Sequence, residues 1–377
     1  MFLSSLMRRQ YHHLNEIRLS EAALRHNHQQ LQKLVSNSVI CPVLKSNAYG
    51  HGLKQVAMVV DTFSAPFLIV DSLYEAYELY KLNLKTPILI LGYTDPRNYQ
   101  TKKLPFHFTV FDLESAQALS RFQPGASVHI FVDTGMHREG VSLFELAEFV
   151  NQLKALRLDI VGLASHLADA DNPQSQRYSE QQLKNYLQAL EIFQQAGIKP
   201  KWRHLNASAG AMKLENRNLN LVRAGIASYG ISPLLDTDPI ERQPNLQPVL
   251  SLVTHIAQIK TVPAGVKLGY NGTYTTKKKT KLAILPIGYH DGVDRCLSNK
   301  GWVKLRSQFC PIAGRVSMNI TIVDVTACAQ ARVGDEVVVY SDKLEDKNSF
   351  IKAAEVANTI PYDLLVGLSE SISRKLK

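Results

Sequence analysis

Cysteine is scarce in this chain. Cys41, Cys296, Cys310 and Cys328 are the only four among 377 residues, and none stands at a C-x-x-C spacing. That excludes a zinc ribbon and a small disulfide-stapled scaffold, and predicts small buried hydrophobes in a reducing compartment. No run is apolar and long enough to span a bilayer, which takes about 20 residues. The first ten residues, MFLSSLMRRQ, place the apolar stretch before the arginines. A secretory signal has the reverse order, so the expectation is a soluble cytoplasmic protein. Internal repeats, low-complexity tracts and a dinucleotide glycine fingerprint after the first strand are all missing. What the chain has in excess is positive charge, 43 Lys and Arg against 33 Asp and Glu. The positive residues are mostly scattered. The densest group, Lys277, Lys278, Lys279 and Lys281, has no aromatic platform beside it. It reads as a solvated hairpin rim rather than a nucleic-acid surface.

Hydrophobic residues make up 45% of the chain, enough for a full core. The first two-thirds alternate between apolar strands and amphipathic helices. A helix is predicted to start at Ser20, an N-cap, and to run through EAALRHNHQQLQKLV. The strands are SVICPVLK, APFLIVDS, TPILILGYT, FHFTVFD, SVHIFVDT, LDIVGLASH, KWRHLN and LNLVRAG. Near-continuous apolar strands separated by helices argue a parallel sheet covered on its outside. About eight such units fit a (β/α)8 TIM barrel better than an open sheet. The Pro- and Asp-rich stretch ISPLLDTDPIERQPNLQP reads as a linker, and strands separated by Gly, Asn and Asp turns follow it. The predicted organisation is a barrel over residues 1–245 and a mostly β domain over 246–377.

Chemistry in such a barrel gathers at the carboxyl ends of its strands. Lys45 ends the first strand. Asp133 and Thr134 end the fifth, with Arg138 just beyond. His166 ends the sixth, Ser208 follows the seventh, and Arg223 ends the eighth ahead of Gly225 and Ile226. Each has an ordinary reading as well. Lys45 could snorkel to water, His166 could be a satisfied core histidine, Arg223 an ion-pair partner, and Ser208 a helix N-cap. Together they suggest an anionic ligand and amine-based chemistry. The carboxylates are too few for a divalent-metal site, so no metal is expected.

The segment VLKSNAYGHG resembles the lysine motif of the fold-type III pyridoxal phosphate enzymes, in the form typical of alanine racemase. VDTGMHREG, LNASAGAM, LVRAGIASYG, LGYNGTYTT, PIGYHDG, AGRVSMN and NTIPYD resemble that family's segments in its order. The resemblance implies a barrel followed by a β-domain, a homodimer with shared active sites, and racemisation of alanine with pyridoxal 5'-phosphate. It also implies a role in supplying D-alanine for cell-wall peptidoglycan. By motif, Lys45 would hold the cofactor covalently and act as one base. Tyr270, from the neighbouring subunit, would serve the opposite face, supported by His166 and Arg223. Arg223 would face the pyridine nitrogen. Tyr49, Ser208, Gly225, Ile226 and Tyr362 would grip the phosphate. Arg138 would touch the cofactor's phenolic oxygen and the substrate carboxylate, and the Met318 backbone and Tyr289 would complete the substrate pocket from the neighbouring subunit. No nucleic acid and no membrane is expected as a partner.

Two positions depart from the commonest family pattern. Two residues before Asp133, where many members carry a lysine that orients the arginine, this chain has Phe131. After Met318, where Asp is common, it has Asn319. The basic tail SISRKLK stands where a more apolar segment is expected. The alternatives are a racemase of broader range, such as serine, and a non-catalytic cofactor-binding protein. A decarboxylase on this fold would need a further acidic or cysteine-bearing substrate site, whose pattern is missing.

Overall fold

The computed structural model describes residues 12–235, 238–239 and 243–377. The segment MFLSSLMRRQ and part of the predicted linker lie outside the described residues. Two compact units emerge. One is Ser20–Val249; the other is Leu250–Lys377 together with the segment that ends at Leu19.

In the first unit, parallel strands follow one another in chain order. They are β1 Val39–Pro42, β2 Leu68–Val70, β3 Ile88–Ile90, β4 His107–Val110, β5 Ala126–Asp133, β6 Leu158–Ala164, β7 Trp202–His204 and β8 Leu221–Ala224. β2 through β7 form a continuous ladder, and β8 pairs with β1. Single parallel bridges, Val43 to Ile69 and Ala207 to Arg223, close the ring. All eight expected strands form. The helix Glu21–Leu34 starts where predicted, with Ser20 Oγ accepting from Ala23 N at 3.1 Å. Its apolar residue Leu31 packs with Val222, Ala224 and Ile40 on the outer face of β8 and β1. Residue alternation then turns Leu221 and Cys41 inward, with Val43, Phe67, Ile69 and Leu89.

The second unit is built on a six-stranded sheet. Its order is Gln308–Pro311, Trp302–Leu305, Glu336–Tyr340, Leu250–His255, Glu16–Leu19 and Ser373–Leu376. Glu16–Leu19 was expected inside the barrel domain. Instead it lies between Leu250–His255 and the tail strand, with Ile17 opposite Leu252 and Arg374. The basic tail is thereby explained, since Lys375 ion-pairs with Glu16. A smaller sheet joins Gln258–Val262, Thr280–Leu285 and Thr321–Asp324. Lys277, Lys278 and Lys279 are exposed as expected. Lys281 is not part of that rim, because its ammonium donates to the carbonyls of Ala329 and Ala331 at 2.8 and 2.7 Å. Cys41 and Cys310 are buried, but Cys296 is exposed and Cys328 half-exposed, so the expectation for the cysteines fails at these two.

Candidate active site

Lys45 stands just past β1, and the backbone beyond it is wound the wrong way. Ser46, Asn47, Ala48 and Tyr49 all have φ between 51° and 55°. A left-handed turn of L-residues costs roughly 1–2 kcal/mol per residue, and none of these four is glycine. The surroundings over-determine it. Ala48 N donates to Leu44 O at 2.7 Å, Gly52 N to Asn47 O at 2.9 Å, and Leu53 N to Asn47 Oδ1 at 2.7 Å. Glu75 supplies the tie from outside. It closes a capping box with Ser72 at the start of the helix Leu73–Tyr80, accepts from Asp71 N at 2.9 Å, and accepts from Ser46 N at 2.6 Å. Strain held this way marks a side chain whose aim is fixed by the fold. The ammonium of Lys45 is half-exposed and lies 3.3 Å from the Asp71 carboxylate.

Arg223 is buried inside the barrel, 3% exposed, and no carboxylate pairs with it among the described residues. Nη1 donates to His204 Nδ1 and to its carbonyl, both at 2.9 Å. Nη2 donates to Ser165 O at 2.7 Å and to His166 Nδ1 at 2.8 Å. Burial lowers the guanidinium pKa to about 10, so it stays charged at neutral pH. Donation to both Nδ1 atoms leaves the protons of His166 and His204 on Nε2. Burial, then the charges of Arg223, Arg138 and Lys45, push His166 down to about 3. The relay continues. His204 Nε2 is 2.9 Å from His129 Nδ1, which puts the His129 proton on its own Nε2. That nitrogen is buried with no hydrogen-bond partner among the described residues. His129 fits only because residue 162 is glycine, where a Cβ would stand 2.0 Å from Nδ1.

The remaining barrel candidates converge. Ser208 is not an N-cap; that position falls to Ala207. Its hydroxyl instead accepts from Gly225 N at 3.1 Å and Ala227 N at 3.4 Å, which places it beside Gly225 and Ile226. The Tyr49 hydroxyl lies against Gly225, where a Cβ would approach it to 2.5 Å. Burial raises the Tyr49 pKa to about 12, so it remains a neutral donor. Arg138 is held by its neighbour, with Nε and Nη2 on the two oxygens of Glu139 at 2.5 and 2.7 Å. Phe131 is buried against Phe111, ring centroids 5.6 Å apart.

In the β unit, Tyr270 opens a short turn between Lys267–Leu268 and Tyr274–Thr275 and is 69% exposed. Gly269 packs on the backbone of Arg315. Two and three residues further, Ser317 O and Met318 O accept from Tyr289 N and His290 N, both at 3.0 Å. The segment around residues 314–318 thus gathers Tyr270, Tyr289 and Met318. Tyr362 lies on the helix Pro361–Val366, and Leu368 just beyond that helix packs on Gly292. Asn319 is exposed.

Asp71, Glu75, Glu139, His129 and His204 were not singled out from sequence. The S-x-x-E pattern of residues 72–75 and the in-facing histidines of two apolar strands were the available signals.

A bound cofactor would have to match a buried cation without an anionic partner, a neutral imidazole, an amine, and a cradle of hydroxyls and backbone N–H groups. Pyridoxal 5'-phosphate fits that set, with an acceptor nitrogen, an aldehyde and a phosphate. Among the described residues no His, Cys, Asp and Glu cluster could hold a metal ion, and no helix is long and apolar enough to cross a membrane.

Residues 19–233 match the family described as alanine racemase, N-terminal domain, and residues 249–376 match alanine racemase, C-terminal domain. An alanine racemase of Halothermothrix orenii is 36% identical over 369 residues, covering 96% of each chain. The alanine racemase structure from Clostridium difficile 630 superposes with a TM-score of 0.90 at 30% identity, covering 98% of this chain and 97% of that one. The Bacillus anthracis alanine racemase with bound L-Ala-P gives 0.89 at 30% identity, over 98% and 96%.

Proposed function

Since this chain belongs to the alanine racemase family of isomerases, we propose that it interconverts L- and D-alanine with pyridoxal 5'-phosphate by a two-base exchange. The observation that carries this reading is the buried Arg223, joined to the neutral His166 at the rim where Lys45 emerges. Lys45 would hold the cofactor. Tyr49, Ser208 and the backbone of Gly225 and Ile226, with Tyr362, would hold its phosphate. When bound, the cofactor acidifies the Cα proton of the amino acid.

The chain's own residues do the rest. Arg223 keeps its protons and offers donors only, so it leaves a ring nitrogen facing it neutral. Arg138, braced by Glu139, would bind the substrate carboxylate, with the Met318 backbone and Tyr289 of a second copy closing the pocket. Inversion at Cα takes a proton from one face and returns one to the other, so two proton carriers are needed. Lys45 takes one face. Tyr270 of a second copy takes the other, its oxygen accepting from His166 Nε2–H, which favours the deprotonated phenol. Exposure of Tyr270, Tyr289 and Met318 in a single chain supports a site completed by a homodimer partner. The product would feed peptidoglycan synthesis in the cytoplasm.

The test is incubation of the cofactor-loaded protein with L-alanine in D2O. Loss of circular dichroism together with deuterium at Cα is expected. A yellow protein that leaves L-alanine optically unchanged overturns the racemase reading and favours a carrier. Parallel incubation with L-serine measures breadth of range.

A further inference from the structure

Two of the four cysteines meet. Cys310 Sγ lies 3.7 Å from Cys328 Sγ, in van der Waals contact. Neither sits on a loose end. Cys310 belongs to Gln308–Pro311, where it pairs with Val303. Cys328 closes a turn, its N–H donating to Val325 O at 2.8 Å and its own carbonyl accepting from Ala331 N at 2.9 Å. Lys281 pins that turn through the carbonyls of Ala329 and Ala331, and Asp324 accepts from Thr326 N at 2.8 Å. Between the two cysteines the chain leaves the sheet, crosses to Thr321–Asp324 through the Ile312–Val323 bridge, and carries the segment that seats Met318.

We propose that Cys310 and Cys328 form an oxidative modification site, which peroxide converts into an intramolecular disulfide at the base of the segment 311–327. The half-exposed Cys328 reacts first, the buried Cys310 second. The Cys328 thiolate attacks one peroxide oxygen. An S–O bond forms, the O–O bond breaks, and hydroxide leaves and is protonated to water. Cys310 sulfur then attacks the sulfenic sulfur. The S–S bond forms, the S–O bond breaks, and the departing hydroxide takes the Cys310 proton as a second water. Two thiols are oxidised and one peroxide is reduced. Burial, and next the Cys328 thiol beside it, push Cys310 up to about 12, which sets this order. A sulfur already in contact resolves the sulfenic acid faster than further peroxide can. Cys296 is exposed but has no such neighbour, and Cys41 is shut inside the barrel.

Tryptic cleavage after Arg306, Arg315 and Arg332 gives peptides 307–315 and 316–332, with one cysteine each. The full chain is treated with stoichiometric hydrogen peroxide and digested without reductant. The expected product is one linked pair of these peptides, lighter by two hydrogens than their sum and separated by dithiothreitol. Cys328→Ser abolishes it, Cys296→Ser leaves it intact, and Cys310→Ser traps a sulfenic acid at Cys328. Sulfinic acid at Cys328 of the unsubstituted chain with Cys310 still reduced overturns the proposal. So does a linked pair found only between chains.

Discussion

The barrel unit and the β unit present their candidate residues in opposite ways. In the barrel, Arg223 and Ser208 are buried, and each is tied to named partners in or just beyond neighbouring strands. In the β unit, Tyr270, Tyr289 and Met318 are exposed, and order comes from the backbone beneath them rather than from partners around them. The first arrangement is complete within its own unit. The second resembles half of an interface, with side chains fixed at the root and free at the tip. Preorganisation and incompleteness therefore occur in the same chain, and each makes a different forecast.

The largest expected effect concerns the incomplete half. Lys45→Ala and Tyr270→Phe should each lose at least about 1000-fold in racemisation. Mixed in equal amounts and refolded together, they should recover about one quarter of wild-type activity, because mixed dimers carry one intact site. No recovery on mixing would place both bases in one chain. Next comes the complete half. Arg223→Ala should destabilise the barrel by roughly 3 kcal/mol in urea titration, since it strands two imidazoles and several carbonyls. Equal loss of the β unit's signal would show that the two regions do not unfold separately.

A third forecast uses pH. His166 falls from 6.5 to about 3 on folding, and burial likewise holds His129 and His204 well below their ordinary range. The unfolded chain therefore binds protons that the folded chain refuses. Stability is full above about pH 6.5 and is lost as pH falls toward 3, by about 1 kcal/mol per pH unit for each imidazole. Urea midpoints measured from pH 7 to pH 4 check the slope, and His129→Gln should flatten it. A smaller effect is expected at Arg138. Glu139→Gln should raise the KM for alanine several-fold, with cofactor affinity unchanged in a spectrophotometric titration. Phe131→Lys should likewise move KM more than cofactor binding, and equal loss of both would show Arg138 misplaced. Smallest of all, Tyr270→Phe should shift stability by less than about 0.5 kcal/mol, as expected for a surface side chain.

Much of the barrel was legible because each strand is a short apolar run that stops at a polar residue. Lys45, His166 and Arg223 stood out for that reason. The strand Glu16–Leu19 did not, because its partner Leu250–His255 lies more than 200 residues away and pairing over that distance leaves no local trace. The histidine relay was hidden differently. His129 and His204 sit inside apolar strands and read as filler until Gly162 opens room for one and Arg223 donates to the other. Residues 46–49 carry no glycine to advertise positive φ, and the Glu75 carboxylate that ties down Ser46 comes from 29 positions downstream. The ordinary reading of Ser208 as a cap fails, because a serine at a helix start satisfies that pattern whichever way its hydroxyl turns, and here it turns to Gly225 N.

Four residues coiled against their own chirality also limit how this protein can be made hardier. Glycine at position 46 would relieve the misfit and raise the melting temperature. The slack so gained would pass straight to the neighbouring amine. A selection that rewards only heat survival will drift toward such variants, and will blunt the lysine while appearing to succeed.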